Sequence, residues 1–167
     1  MPNRVIKSRV PGGASQLADA LASLIALELL VPGGRLYLIS PHLGDMVLLK
    51  SPFGQFRALM PELGRSAIRL GESLGMLAAR GTQVRVLYRP GDPDTDAFVA
   101  GLTHEVARRA VSRLDERGLI SEHFYLRGSL EFDRGGISTG DESVEISTEP
   151  DDVARALLDA EQLWRRS

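Results

Sequence analysis

Twice in its N-terminal half the chain runs from a helix-forming stretch into a short apolar run and then into a loop dense in turn residues. No other feature constrains the fold as strongly. The first instance follows Pro11-Gly12-Gly13 and is interrupted by Pro32-Gly33-Gly34. Between these breakers Leu17, Leu21, Leu24 and Glu28 fall on one helical row, with Ala20, Leu27 and Val31 on the next, so a broad apolar face is expected. Leu36-Tyr37-Leu38-Ile39 then reads as a buried strand, with Ser40–Asp45 as the loop at its carboxyl end. The second instance is a helix over Glu72–Arg80 that Gly81 is placed to cap, a strand Val84–Tyr88, and a turn-rich loop from Pro90 to Asp96. This order predicts an α/β domain whose sheet is mainly parallel or mixed and flanked by helices. In such sheets ligands bind beyond the carboxyl ends of the strands, so the two loops are the first places to look for function.

The rest of the chain is less regular. Residues 53–65 have loop character, and Asp96 to Arg117 reads as one long helix by propensity. Phe124-Tyr125-Leu126 and Ser143–Ile146 read as strands. Thr148-Glu149-Pro150-Asp151 is a strong helix start, and the helix it opens should bury Val153, Leu157, Ala160 and Trp164. With 167 residues and no internal repeat, a single domain over 1–167 is expected, with 1–13 as a flexible N-terminal segment.

Composition excludes several classes of chemistry. There is no cysteine, hence no disulfide, thiolate metal site or cysteine nucleophile, and a cytoplasmic setting is the default expectation. Arg4, Lys7 and Arg9 before an apolar run have the outline of a signal peptide, but Asp19 and Glu28 interrupt that run, so no membrane segment is expected. Residues 1–90 hold 11 Lys/Arg against 5 Asp/Glu, the reverse of the acidic remainder. A basic surface meeting nucleic acid or an acidic partner is one reading of that asymmetry, and two solvated faces is the other. No Gly-rich loop precedes Lys-Ser/Thr, and no histidines are paired at zinc-binding spacing. Of the three histidines, His104 reads as a surface or packing residue. His42 has the better functional claim, because its loop should open onto the ligand side of the sheet.

Three segments together resemble the phospholipase D-like superfamily, in its single-motif branch. They are LYLISPHLGD (Leu36–Asp45), LAARGTQVRVLYRP (Leu77–Pro90) and FYLRGSLEFDRGGISTGDESVEI (Phe124–Ile146). That family writes its half-site as His-x-Lys, four residues, Asp, about six residues, then Gly-Ser-x-Asn. In it the histidine attacks a phosphodiester, the lysine and asparagine hold the phosphate oxygens, and the aspartate orients a histidine. Aligned through Gly128-Ser129, the histidine falls on Asp115, the lysine on Arg117, the aspartate on Glu122 and the asparagine on Glu131, with one residue missing from the spacer. Only the Gly-Ser pair and the later Glu142 are unchanged. The resemblance also implies that Ala110 to Leu114 is extended, against its helical propensity.

Substitution changes the chemistry that the resemblance implies. Aspartate titrates near ~3.9 and histidine near ~6.5, so an aspartate is a poor general acid at neutral pH. A glutamate where an amide would cradle an anion repels a phosphodiester by roughly 1–4 kcal/mol at effective dielectrics of 80 to 20. The first expectation is therefore a catalytically degenerate binding or assembly subunit, pairing as a homodimer as single-motif relatives do. The resemblance implies a bacterial nucleic-acid-processing or phage-defence setting, with nucleic acid or other protein subunits as partners. The second is an active phosphodiesterase or nuclease with a shifted site, using His42 or His123. The third is a carboxylate metal site made by Asp115, Glu122, Glu131 and Asp133, but Arg117 should occupy its charge position, so neither metal nor cofactor is expected.

Overall fold

The computed structural model describes residues 4–7, 13–50, 67–133 and 136–167. Its elements in chain order are β1 (Arg4–Lys7), α1 (Gly13–Leu30), β2 (Arg35–Ser40), β3 (Val47–Lys50), β4 (Ala67–Arg69), α2 (Leu70–Ala79) and β5 (Gln83–Tyr88). These are followed by α3 (Pro93–Ala100), β6 (Ala107–Ala110), β7 (Gly118–Ser121), β8 (Tyr125–Asp133), β9 (Gly136–Ser147) and α4 (Pro150–Arg166). Seven strands form one sheet in the order β1-β9-β8-β7-β2-β5-β6, and β3 with β4 makes a separate two-stranded piece. Residues 53–65, expected to be loop, lie outside the described residues. Arg4–Lys7, within the segment expected to be a flexible lead-in, pairs antiparallel with β9.

β2 is the middle of this arrangement. Leu36 and Leu38 enter the core shared with α1, α2 and α3, while Tyr37 and Ile39 enter the core under α4. A strand buried on both faces needs a continuous apolar run, which is what Leu36–Ile39 supplies. Its two edges are taken by β5, in parallel register from Arg35↔Gln83 to Ser40↔Tyr88, and by β7, antiparallel from Leu36↔Ser121 to Ile39↔Gly118. The sheet is thus mixed rather than mainly parallel. Parallel pairing is confined to β2, β5 and β6, and the chain then returns through β7, β8 and β9 by antiparallel neighbours.

Two local expectations are corrected. The helix expected over 96–117 ends at Ala100. β6 takes the open edge of β5, pairing Arg85↔Ala107 through Tyr88↔Ala110, and ladder hydrogen bonds outweigh helical propensity there. Arg108 reaches back from β6 to the carbonyls of Val99 (2.5 Å) and Thr103 (2.5 Å), tying the strand to the turn that ends α3. The extended stretch lies at 107–110 rather than 110–114, since Leu114 N–H already turns back to Val111 (3.3 Å).

α1 also buries less than its pattern suggested. Leu17, Leu21, Leu24 and Ile25 are in the core, but Leu27 (57%) and Val31 (64%) are exposed. Glu28, on the buried row, is only 1% exposed. Its carboxylate accepts from Ser121 Oγ (2.5 Å) and Gly33 N–H (3.3 Å) and lies 2.9 Å from His123 Nδ1. One buried acid thereby ties α1, the turn before β2 and the end of β7. Glu28→Ala should cost about 2–3 kcal/mol in chemical denaturation, the scale of a buried charge-assisted hydrogen bond lost. Glu28→Gln, which keeps an acceptor, should lose less.

Candidate functional site

Because β2 and β5 are parallel, their carboxyl ends share one edge of the sheet, and the loops that follow them meet there. Arg89 N–H donates to the Pro41 carbonyl (3.3 Å), and Ser40 Oγ donates to the His42 carbonyl (2.6 Å). Leu43 N–H donates to Thr95 Oγ1 (3.0 Å) and Gly44 N–H to the Phe132 carbonyl (2.6 Å), so the His42 loop is held between α3 and the far half of β8. Asp92 caps α3 by accepting from Thr95 Oγ1 (2.7 Å) and Thr95 N–H (3.0 Å). Those two hydrogen bonds, with a smaller contribution from His42, hold its carboxyl below the usual aspartate range.

β7 begins at this same edge, since Gly118 pairs with Ile39, and it brings Asp115-Glu116-Arg117 to the strand ends. β8 meets it there: Gly128 N–H donates to the Arg117 carbonyl (3.3 Å). Gly128 has φ of 135°, a conformation that L side chains rarely adopt, which explains glycine at that position. Beyond it the β8–β9 register shifts, with Gly128 opposite Val144 but Leu130 opposite Thr139. β8 passes this point with Ser129 alone, while β9 passes it with Gly140–Ser143. Glu142 belongs to that stretch, but its side chain, like that of Asp133, lies outside the described residues.

The charges at the edge satisfy one another. Arg89 Nη2 donates to the carbonyl of buried Leu114 (2.5 Å) and to Asp115 Oδ1 (3.1 Å). Arg117 Nη2 lies 3.5 Å from Glu131 Oε1. Asp115 is 89% exposed and the Arg117–Glu131 pair is about one-third exposed, so each pairing is worth about 1 kcal/mol or less. In each pair a carboxylate faces the arginine's charge. Arg89 is a residue that the sequence analysis did not single out. It stands one residue past β5, where the loop-end rule points, and its Nε is buried with no hydrogen-bond partner among the described residues.

The other expected site residues stand elsewhere. β7 has four residues, so Glu122 and His123 lie at its opposite end, separated from Arg117 by the strand's length of roughly 13 Å. Glu122 pairs with Arg35 (3.1 Å), which also holds Glu161 (2.7 Å), and His123 belongs to the Glu28 cluster. Arg35 draws the Glu161 carboxyl below its ordinary range. Asp115, Glu122 and Glu131 are therefore not brought together, and among the described residues no group of three or more acidic or histidine side chains could hold a metal ion.

No family model and no curated protein matches the sequence. Solved structures do match. NucT from Helicobacter pylori superposes with a TM-score of 0.57 at 9% identity, over 98% of this chain and 96% of that one. Nuc from Salmonella typhimurium, a phospholipase D family member, gives 0.53 at 13% identity, over 98% and 94%. TrmBL2, an archaeal chromatin protein with a novel mode of DNA binding, gives 0.54 at 12% identity, and this chain spans about half of it (99% and 53%).

The fold is phospholipase D-like. On that fold the segments after β6 fall into a legible order: β7 and β8 form the antiparallel pair that brings Arg117 beside Gly128 and Glu131, with Asp115 on the Arg89 side. His42 stands on the adjoining loop. Among the described residues, no helix of this phospholipase D-like chain is long and apolar enough to cross a membrane.

The site's stability should depend on Arg89 far more than on its acidic partner. Arg89→Ala strips a hydrogen bond from the buried Leu114 carbonyl and should cost about 1–2 kcal/mol. Asp115→Ala should cost under about 1 kcal/mol by the same denaturation measurement.

Proposed function

We propose that this chain is a catalytically degenerate phospholipase D-like protein, a binding or assembly subunit whose ligand class is nucleic acid. The carrying observation is the closed charge pairing at the strand ends, Arg89 with Asp115 and Arg117 with Glu131. Hydrolysis by the family route needs a nucleophile and a proton donor poised at one phosphate. Here the aligned nucleophile position holds a carboxylate already engaged by an arginine, and the aligned amide position holds a second carboxylate. An incoming phosphodiester would have to displace both. The DNA-binding mode of TrmBL2 supports nucleic acid as the ligand, since it shows this fold in a chromatin protein. A role among other subunits, including in defence against phage, belongs to the same proposal.

The test is cleavage of bis(p-nitrophenyl) phosphate and of single- and double-stranded DNA, with and without divalent metal. No turnover is expected from the wild type. Turnover that Asp115→Ala or His42→Ala abolishes would overturn the proposal and make the chain a phosphodiesterase with a rebuilt site.

Single-motif relatives pair two half-sites, and the scaffold here is proposed to pair likewise as a homodimer. Light scattering at tens of micromolar, roughly where a standard-size interface holds, should give twice the 18.2 kDa chain mass. A monomer there would count against the pairing while leaving the hydrolysis result untouched.

A further inference from the structure

α4 crosses the sheet face that carries Tyr37, Ile39, Ile120 and Tyr125, but it does not seal it. Between α4 and the start of β7 and β8 a cleft of about 310 Å³ remains. Ile39, Ile120 and Leu163 form an aliphatic floor, and Ala156 and Ala160, one turn apart on α4, keep the wall low. Among the described residues no aromatic ring lines it, so it offers a nucleobase no ring to stack on. The volume is near the lower end of the ~300–1,000 Å³ common for small-ligand sites.

Its rim is charged in a particular way. Arg117, Arg127 and Arg166 stand around the mouth, and Glu116 and Asp159 are the carboxylates among the described lining residues. Arg117 is taken up by Glu131 of the strand-end site, while Arg127 with Asp159 at 3.5 Å and Arg166 with Glu116 at 3.7 Å are paired loosely. These exceed the ~2.7–2.9 Å of a charge-assisted hydrogen bond, so a better-placed anion can take over the guanidinium donors. Arg127 is fixed in direction by lying over the Tyr125 ring, 4.8 Å from its centre.

We propose that this cleft binds a small anion with an aliphatic body, its carboxylate or phosphate head on Arg127 and its neighbours and its chain on the Ile39–Ile120–Leu163 floor. Aliphatic acids and alkyl phosphates share that chemistry. The cleft lies on the α4 side of the sheet and borders the strand-end site at Arg117, but Arg127, its head-group contact, stands outside that site.

Two of the floor residues make the test local. With isoleucine methyls labelled for NMR, octanoate and octyl phosphate should each move Ile39 and Ile120 saturably and leave Ile25 and Ile68, in the opposite core, in place. Octylamine should move neither pair. Arg127→Gln should weaken binding roughly tenfold, as loss of one charge-assisted contact does. Asp159→Asn, which frees Arg127 at an exposed position, should tighten it by about threefold. Binding of octyl phosphate alone would uphold the site and narrow its head group to a phosphate ester. Unmoved Ile39 and Ile120 methyls, equal shifts with octylamine, or no gain in Asp159→Asn would each overturn the proposal.

Discussion

Nearly everything in this molecule is referred to the position of β2. It is buried on both faces and paired on both edges, parallel to β5 and antiparallel to β7. A one-residue slip against either neighbour would turn Leu36 and Leu38 into the wrong core and Tyr37 and Ile39 with them. The same two registers fix where the strand-end loops meet and where β7 starts. Arg89 and Asp115, 26 residues apart in sequence, become partners because the neighbours of β2 are set in this way.

The strand ends combine a phospholipase D-like backbone with paired charges. The backbone brings the region of Asp115 and Arg117 against the Gly128-Ser129 step, and glycine stands where φ is positive. The side chains there form opposite-charge pairs, Arg89 with Asp115 and Arg117 with Glu131. Such pairs contribute little to stability one at a time. Their main consequence is electrostatic: the edge carries arginines without presenting a field that is simply positive.

Legibility from sequence followed the range of the interaction. The β2 and β5 strands, their loops and the helix starting at Pro150 were readable because burial period and breakers are local signals. The end of α3 was not, since nothing between Gly101 and Val106 announces that the β5 edge is vacant and will take Ala107–Ala110. The site divided in the same way. Asp115, Arg117, Ser129 and Glu131 lie at one edge of the sheet, whereas Glu122 and His123 lie at the far end of β7. A spacing of a few residues looks like proximity in sequence, but along a strand it is distance. Arg89 and Glu28 could not be singled out, because their partners depend on sheet order. Glu28 in particular sat on an apolar helical row with no visible reason to be buried.

The order of the sheet also bears on how the chain is made. Leu36 pairs with Ser121, so β2 is synthesised 85 residues before the partner that closes its second edge. Through that interval a four-residue apolar core run, Leu36–Ile39, has at most β5 beside it, and the Glu28 carboxylate lacks Ser121 and His123. Contacts this distant in sequence slow folding and leave strand edges open to other chains. A nascent chain stalled before β7 is therefore the form of this protein most in need of a chaperone.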